Sequence, residues 1–391
     1  MTGTEHPRFE FSLREFGGSL GDFGTLLPLA AGYIAINGLN PAGLFVMLGL
    51  TNIALGLVYH LPMPVQPKKV IAAVAISQGW APTLVYASGL GLGLTWLFLV
   101  FSGLLHKLVR WTPTYLVRGI QLGLGIALGL QAVRMMTPAP LLGALAIGII
   151  ILLRKSRYAP ASVVVIGVGI ALVAWRGDLR HVQFGFTLPP LTPPHPRDVW
   201  QAMVLAGFAQ IPLTLTNSVM ATGTLIRDYF PEKPVGERKL MLTMGVTNLI
   251  VSFFSGMPIC TGSGGLAAKY YFGGRTGGAS IMEGLIEVAI GLFLSRSIVD
   301  VMEAFPLALV GGMLLLVGIQ LGSLAFRLRG WPLILAAITA GVSVATNIGV
   351  GFVVGLGLSV VARELHRRGR LPALGRPSDN DGLDERSQRD G

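Results

Sequence analysis

Long apolar runs, separated by short polar or Gly/Pro-containing breaks, make up most of the sequence between residues 17 and 362. A straight membrane-spanning helix needs about 20 consecutive, mostly apolar residues. The alternation of runs and breaks predicts about fourteen segments, some of them shorter than a straight span. They lie at residues 17–36, 41–60, 67–79, 83–105, 114–133, 140–153, 159–175, 199–225, 239–256, 262–272, 278–295, 305–323, 331–345 and 348–362. The pattern therefore predicts an all-α polytopic membrane protein.

Two of these segments, 67–79 and 262–272, are short and follow chain-breaking residues. The first follows Leu61-Pro-Met-Pro-Val-Gln-Pro-Lys-Lys69, and the second follows Met257-Pro-Ile-Cys-Thr-Gly-Ser-Gly-Gly265. Irregular backbone at membrane depth is tolerated only where it is buried in protein or lines a polar cavity. We therefore expect two half-helices whose N-termini meet near the membrane midplane.

The two breaks occupy matching places in an internal repeat. The stretch from Thr51 to Pro67 aligns with residues 247–263 at a constant offset of 196, with Pro62 over Pro258, and a second correspondence follows near offset 193. Each half then holds about seven segments, and an odd number gives the halves opposite orientations in the membrane. We expect a first repeat at residues 1–176, a Pro-rich linker at 177–198, a second repeat at 199–365 and a disordered cytoplasmic tail at 366–391.

Composition and charge place the chain in the membrane and exclude several other classes. The chain of 391 residues is 52% hydrophobic and only 13% charged, whereas soluble domains carry about 25% charged residues. If the N-terminus is cytoplasmic and the segments alternate, 22 of the 30 Lys and Arg residues fall on the cytoplasmic side and five on the other, as the positive-inside rule requires. The net charge of +11 then reflects basic loops at a lipid bilayer rather than nucleic-acid binding. We expect both termini in the cytoplasm of a bacterial-type inner (plasma) membrane, with no separate signal peptide.

No pattern of reactive or metal-binding residues suggests an enzyme. A single cysteine, Cys260, excludes an internal disulfide and a multi-cysteine metal site, and the six histidines are scattered. No Walker-type phosphate loop supports direct use of ATP. We therefore expect no metal, no cofactor and no catalytic residues.

The second break has the composition of an anion site. A helix N-terminus carries about half a positive charge and unsatisfied N–H groups, and such an end binds anions readily. The donor candidates are Thr261, Gly262, Ser263 and Gly264. The opposed half-helix adds Gln66 and a cation, Lys68, either beside the anion or directed to the membrane interface. The glycines also fit a second interpretation, in which they only allow close helix packing.

Polar stripes on two further segments are repeat partners and extend this site. Segment 199–225 carries Gln210, Thr214, Asn217, Ser218 and Ala221 at the spacing of one helical face. The first segment carries Ser19, Asp22 and Thr25 at similar spacing. Gln210, Asn217 and Thr25 are candidate ligands, although such residues also form hydrogen bonds between membrane helices.

Ionisable residues inside the membrane are functional candidates by default. Asp22, Glu283 and Glu287 qualify as proton-coupling candidates. Glu283 and Glu287 are four residues apart, so their charges repel unless one is protonated or paired. The alternative is a structural ion pair with Lys68, Lys69, Lys269 or Arg275.

At these residues the chain resembles the plant-type molybdate transporter family, a branch related to the SulP sulfate permeases. The resemblance covers most of residues 10–365. Its motifs are Gly21-Asp-Phe-Gly-Thr25, Pro62-Met-Pro-Val-Gln-Pro-Lys68, Gln210-Ile-Pro-Leu-Thr214, Asn217-Ser218, Thr261-Gly-Ser-Gly-Gly-Leu266 and Phe272-Gly-Gly-Arg-Thr-Gly-Gly278. It implies a seven-plus-seven inverted repeat with a core domain and a gate domain, as in uracil permease. It also implies uptake of a tetrahedral oxyanion, molybdate, with sulfate as a weaker competitor.

The resulting prediction is a secondary transporter that imports molybdate by alternating access, with possible proton coupling to be tested. Segments 1–4 and 8–11 form the core, and segments 5–7 and 12–14 form the gate. We expect molybdate, with tungstate or sulfate as further ligands, as the substrate, and a homodimer as the assembly. SulP proteins typically end in a cytoplasmic STAS domain, and we expect none here because only a short tail follows. The alternatives are a permease for sulfate or another oxyanion and, in a different class, an anion channel or sensor.

Overall fold

The computed structural model describes residues 8–104, 113–153, 161–177 and 184–367, and most of these are helical. The first half contains α1 (Leu13–Ser19), α2 (Phe23–Asn37), α3 (Pro41–Tyr59), α4 (Lys69–Gln78), α5 (Pro82–Ser102), α6 (Thr114–Met136), α7 (Pro140–Leu153) and α8 (Ala161–Arg176). The second half contains α9 (Pro196–Tyr229), α10 (Glu237–Ser252), α11 (Ser263–Tyr271), α12 (Gly277–Phe293), α13 (Ser295–Ala304), α14 (Leu307–Ser323), α15 (Trp331–Ala345) and α16 (Ile348–Arg367).

All fourteen predicted segments contain helix, which confirms the all-α class. Within the described part of the chain, six helices are long and apolar enough to cross a membrane: α3, α5, α6, α9, α14 with its 3₁₀ extension, and α16. Helix α1, extended by the 3₁₀ turn Leu20–Asp22, meets α2 at an angle of 50°, and the bent pair can count as a seventh span. The exact count of fourteen crossings stays a prediction. Helix α13 occupies the stretch between the predicted segments 278–295 and 305–323, where the hydrophobic pattern predicted a break.

The two predicted half-helices, α4 and α11, start from a two-stranded sheet at the centre of the fold. Strand β1 (Gln66–Pro67) pairs antiparallel with β2 (Ile259–Cys260), and Gln66 lies opposite Cys260. Because antiparallel strands lead their chains away from each other, α4 and α11 run in opposite directions with their N-termini facing the middle. This geometry relates the two halves by inversion.

The structural register of the repeat differs from the sequence alignment by two residues. The first helical residues are Lys69 in α4 and Ser263 in α11, which are 194 positions apart. The gapless offset of 196 therefore pairs the wrong residues beyond Pro62 and Pro258. The two Gly- and Pro-containing breaks share too few matching residues to reveal that they differ in length by two residues. The gapless alignment therefore did not detect this difference.

The helices pack in pairs that contain one member from each half. In one group α3 packs along α12 and α5 along α10, and in the other α6 packs along α14 and α15. Glycines allow the close approach: a Cβ added at Gly125 on α6 would lie 2.5 Å from the carbonyl oxygen of Gly318 on α14. Small residues serve this purpose widely in membrane helices. The two groups correspond to the expected core and gate, and each is built from both repeats.

The Pro-rich linker is irregular over residues 184–195 and lies against the ends of two helices. The N–H of Thr187 donates to the carbonyl of Leu292, and the N–H of Thr192 donates to that of Phe253, at 2.8 and 2.7 Å. Residues 178–183 of the predicted linker and 368–391 of the predicted tail lie outside the described residues.

Candidate anion-binding site

The N-terminus of α4 is capped by a side chain from α9. Gln210 Oε1 accepts a hydrogen bond from the N–H of Val70 at 2.8 Å, and Gln210 Nε2 donates to Thr214 Oγ1 at 2.8 Å. The first N–H groups of a helix have no partner within the helix. Gln210 is buried and satisfies one of them from the protein itself. One of the positions where the sequence suggested an anion is therefore filled by an amide oxygen.

The N-terminus of α11 is held differently, by Asn217 from the same helix α9. Ser263 Oγ donates to Asn217 Oδ1 at 2.9 Å. The backbone of Gly264 faces open space, because a Cβ added there would meet no atom within 4 Å. Gly265 is the opposite case, since its added Cβ would lie 2.6 Å from Asp22 Oδ1 and from Pro64 Cβ. The start of α11 is thus open on one side and tightly packed on the other.

Asn217 lies in a π-helical turn, Leu215–Ala221, within α9. Thr222 Oγ1 donates to the carbonyl of Asn217 at 3.1 Å, and Pro212, one turn earlier, provides no N–H for the helix. Such π turns occur frequently at functional sites. Gln210, before this turn, contacts the start of α4, and Asn217, within it, contacts the start of α11, so one helix contacts both half-helix ends.

Behind the two half-helix ends, polar side chains hold β1 in place. Asp22 Oδ2 accepts from the N–H of Val65 at 3.0 Å, and Asp22 Oδ1 accepts from Gln66 Nε2. Gln66 Oε1 and Thr261 Oγ1 are buried, and among the described residues neither has a hydrogen-bond partner. These two atoms lie in the layer that supports the site, and both remain available for a ligand or water.

A cavity of about 200 Å³ lies at the start of α11, between the two helix groups. Its lining residues are Thr25, Lys69, Gln121, Leu213, Asn217, Ser263, Gly264, Val317, Gln320, Leu321 and Leu324. Lys69 is the one charged residue in this set, and the set contains no carboxylate. Gly264 and Gln320 are exposed, so the cavity has an opening. A cavity with one cation, several polar side chains and no acid favours an anion.

Two cavity amides are oriented by hydrogen bonds to their oxygens. Asn217 Oδ1 is occupied by the hydroxyl of Ser263, and Gln121 Oε1 accepts from Arg118 Nη1 at 3.1 Å. An amide whose oxygen already accepts a bond presents its NH₂ group as the remaining donor. Because donors are what an oxyanion requires, these contacts adapt the cavity to an oxyanion.

The two adjacent lysines have different surroundings. Lys68 is fully buried, with Nζ 3.6 Å from Met244 Sδ and 5.6 Å from the ring centroid of Trp96. Lys69 lines the cavity. The structural register explains this difference, because Lys69 and Ser263 are the first residues of their helices and both face the cavity. The expectation placed Lys68 beside the anion, whereas the geometry places its side chain elsewhere.

The structure brings together four of the nine predicted ligands at the cavity: Thr25, Asn217, Ser263 and Gly264. Gly262, Gln66 and Thr261 lie next to them, since a Cβ added at Gly262 would be 2.9 Å from Asn217 Nδ2 and 3.3 Å from Gln66 Oε1. Sequence reasoning missed Gln121 and Gln320, and it named Lys68 rather than Lys69 as the cation of the site. Gln320 is a polar residue within the long apolar run of α14, and Gln121 follows Arg118 by three residues on α6, so both were available signals.

The three acidic candidates lie behind the cavity rather than in it. Asp22 holds β1, as described above. Lys269 Nζ lies 2.5 Å from Glu283 Oε2, so Lys269 is the partner for the structural ion pair that the sequence left open among four cations. Asn52 Nδ2 donates to Glu287 Oε2 at 2.8 Å.

Similarity to known proteins identifies the family to which the chain belongs. A family model described as "Molybdate transporter of MFS superfamily" matches residues 14–128 and 202–321. The chain belongs to this molybdate transporter family. It is 30% identical to "Molybdate transporter 1" of Arabidopsis thaliana, covering 90% of the chain and 89% of that protein, and 29% identical to "Molybdate transporter 2" of the same plant, covering 87% and 86%. This family membership confirms the resemblance seen in the motifs and makes the chain a member of a transporter family.

Solved structures show the same fold in anion transporters. The transmembrane domain of a cyanobacterium bicarbonate transporter, BicA, matches with a TM-score of 0.64 at 14% identity, covering 89% of this chain and 97% of that one. Murine Solute Carrier 26 family member A9, an anion transporter in the inward-facing state, matches with a TM-score of 0.67 at 13% identity, covering 91% and 69%. The inverted-repeat fold expected for this molybdate transporter family member is thereby confirmed. The two halves of MFS transporters are related as parallel repeats, so the antiparallel β1–β2 pair does not fit the superfamily named in the family's description.

Proposed function

We propose that this member of the molybdate transporter family is a secondary transporter that imports molybdate by alternating access. The observation that carries the proposal is the cavity at the start of α11. It combines the positive end of a helix, the Lys69 ammonium and amide donors from Asn217 and Gln121, and its lining contains no carboxylate. Each of these groups would stabilise a compact dianion bound in the cavity.

The cavity is lined by donor residues from both groups of helices. Lys69, Ser263 and Asn217 belong to the core group of helices, whereas Gln121 and Gln320 belong to α6 and α14 of the gate group. An anion bound here contacts both groups. We infer that relative movement of the two groups around the bound anion opens the cavity first to one side of the membrane and then to the other.

Further parts of the proposal follow from charge and topology. Import of a dianion against an inside-negative potential is unfavourable, at about 2.3 kcal/mol per charge per 100 mV. Cotransport of protons reduces this cost, and Asp22, Glu283 and Glu287 are the candidate proton carriers. We place the protein in a bacterial-type plasma membrane with both termini cytoplasmic, in keeping with the Lys and Arg distribution, and we expect a homodimer.

Binding to purified protein tests the substrate. Molybdate, tungstate, sulfate and uracil are titrated side by side, and we expect molybdate and tungstate to bind more tightly than sulfate and uracil not to bind. Equal affinity for molybdate and sulfate would instead support a general oxyanion permease. Because both ions are tetrahedral dianions, the comparison isolates the effect of ion size and donor spacing.

Flux through reconstituted vesicles tests the mechanism. A transporter exchanges internal for external molybdate, so unlabelled molybdate inside the vesicle accelerates uptake of labelled molybdate. A channel shows no such acceleration and conducts in response to voltage alone. Absence of countertransport together with a molybdate current would refute alternating access while leaving the anion site intact.

A further inference from the structure

A second polar cluster lies behind the anion cavity, between α3, α11 and α12. Glu283 and Glu287 stand one turn apart on α12, and both side chains are at most 1% exposed. Lys269, in the last turn of α11, contacts Glu283 at 2.5 Å and the carbonyl oxygen of Met63 at 2.8 Å. Asn52 of α3 joins the two acids, because its Nδ2 donates to Glu287 at 2.8 Å while its Oδ1 accepts from Lys269 at 3.4 Å.

Charges from the surrounding elements do not balance Glu287. Helix α3 contains no Asp, Glu, Lys, Arg or His. On α1, the carboxylate of Glu15 is occupied by the N–H groups of Arg275 and Thr276, and Arg296 on α13 is exposed. Asp22, another buried acid, has both oxygens occupied by donors. Among the described side chains, the cluster therefore contains two carboxyl groups and one cation, Lys269.

The hydrogen bonds distinguish the two carboxyl groups. Glu283 is paired with the ammonium group of Lys269, and this pairing stabilises its carboxylate form. Glu287 has only the neutral amide of Asn52 on Oε2, and its Oε1 is buried without a partner among the described residues. A buried carboxylate with no cation beside it is strongly disfavoured, and the neighbouring Glu283 charge adds repulsion. A protonated carboxyl group removes both costs and still accepts the amide hydrogen bond.

We propose that Glu287 binds a proton, and that Glu287, Asn52, Lys269 and Glu283 form the proton site of this transporter, separate from the anion cavity. The coupling part of the inference rests on the proposed transport function. Helix α11 connects the two sites, because it begins at the cavity with Ser263 and carries Lys269 in its last turn. A nine-residue helix moves as a unit, so displacement of its N-terminus by the anion changes the distance from Lys269 to the acids.

The closing experiment compares wild-type protein with Glu287→Gln in liposomes, because glutamine imitates a protonated glutamic acid. We expect E287Q to bind molybdate within about twofold of the wild-type Kd. An inward proton gradient should accelerate molybdate uptake by the wild type and leave E287Q at its rate without a gradient. A trapped pH dye should report proton entry with molybdate only in the wild type.

Infrared spectroscopy tests protonation without transport. The carbonyl stretch of a protonated carboxylic acid should appear in the wild-type spectrum at neutral pH and be missing from E287Q. Labelling glutamate carboxyl groups with carbon-13 in the wild type should shift this band, and this measurement requires no variant if E287Q does not fold. Absence of any such glutamate band overturns the proton site.

The outcomes separate this inference from the proposed function. If the wild type neither binds nor transports molybdate, the proposed function fails. If it transports molybdate and E287Q retains the full response to the proton gradient, the proton site is wrong and the molybdate function stands. The same conclusion follows if wild-type uptake does not respond to the gradient.

Discussion

The N-termini of α4 and α11 are related by the inverted repeat, yet they contribute different groups to the cavity. At α4 the protein satisfies a backbone N–H with Gln210 and places a cation, Lys69, at the first helical position. At α11 the first positions are Ser263 and Gly264, which leave the backbone open. One helix end therefore supplies fixed charge and the other supplies an uncovered positive dipole. In the proposed function, these two symmetry-related helix ends divide the task of binding one anion.

The largest expected effect concerns the packed side of the α11 end. In Gly265→Ala, the added methyl group would lie within 2.6–2.7 Å of Asp22, Pro64 and Gln66, so β1 or α11 must shift. Overpacking of this kind costs about 1–3 kcal/mol, and we expect a lower thermal unfolding temperature in detergent and a loss of uptake. Gly264→Ala is the matched control, since its methyl group enters open space and should leave the unfolding temperature unchanged. Equal stability of the two variants would contradict the described packing.

The second effect concerns the charge at the α4 end. Lys69→Gln removes the one cation that lines the cavity. A hydrogen bond to a charged group contributes about 1.5–3 kcal/mol, so the Kd for molybdate should rise roughly 10- to 100-fold. Isothermal titration of the purified protein measures this change, and the salt dependence of binding should weaken in parallel. An unchanged Kd would mean that the helix ends alone hold the anion.

The different contributions of the α4 and α11 N-termini could be predicted from the sequence only in part. Chain breaks at repeat-matched positions predicted two half-helices, because Pro and Gly have strong and local backbone preferences. The sequence could not show which lysine faces the cavity. The choice between Lys68 and Lys69 depends on how the two half-helices align, and the gapless alignment misplaces them by two residues. Gln121 and Gln320 come from helices that are distant in sequence from both breaks, and their position depends on how the gate group packs against the core group.

Helix α9 illustrates the same limit. Its polar stripe was predicted on the assumption of a regular helical face, and its polar residues do meet the two half-helix ends. The π turn Leu215–Ala221 begins after Gln210 and includes Asn217, and no rule based on spacing indicates such a turn. Gln210 caps α4 outside the cavity, whereas Asn217 lines the cavity.

The third effect contrasts the two contacts of α9. Ser263→Ala removes the hydroxyl that lines the cavity and orients Asn217, and we expect the molybdate Kd to rise about 2- to 10-fold, as for loss of one neutral hydrogen bond. Gln210→Ala removes a helix cap instead, which costs about 0.5–2 kcal/mol of stability. Its Kd should change less than that of Ser263→Ala, while its unfolding temperature should fall more. The reverse order in both measurements would show that the α4 end, and not the α11 end, is the open one.

The fourth effect concerns the gate side of the cavity, where Gln121 supplies a neutral donor. Gln121→Leu removes an amide donor, and we expect a few-fold rise in the molybdate Kd, within the range for a neutral hydrogen bond of about 0.5–1.5 kcal/mol. Gln121→Glu should weaken binding more than the leucine variant, because it places a negative charge against the anion. If the glutamate variant binds as well as the leucine variant, then Gln121 does not contact the substrate.

The smallest expected effect belongs to Lys68, the neighbour of the cavity lysine. Its ammonium lies among Trp96, Met244 and apolar residues, and the salt-bridge partners described for this structure do not include it. Replacement of a buried ionic group by a well-packed apolar one is often neutral or stabilising. Lys68→Met should therefore keep the molybdate Kd within about twofold of wild type and maintain or raise the unfolding temperature.

Comparison of Lys68→Met with Lys69→Gln shows which lysine faces the cavity, because the two lysines are adjacent in sequence and have the same charge. A large loss of affinity in Lys68→Met with none in Lys69→Gln would reverse the assignment and restore the offset of 196.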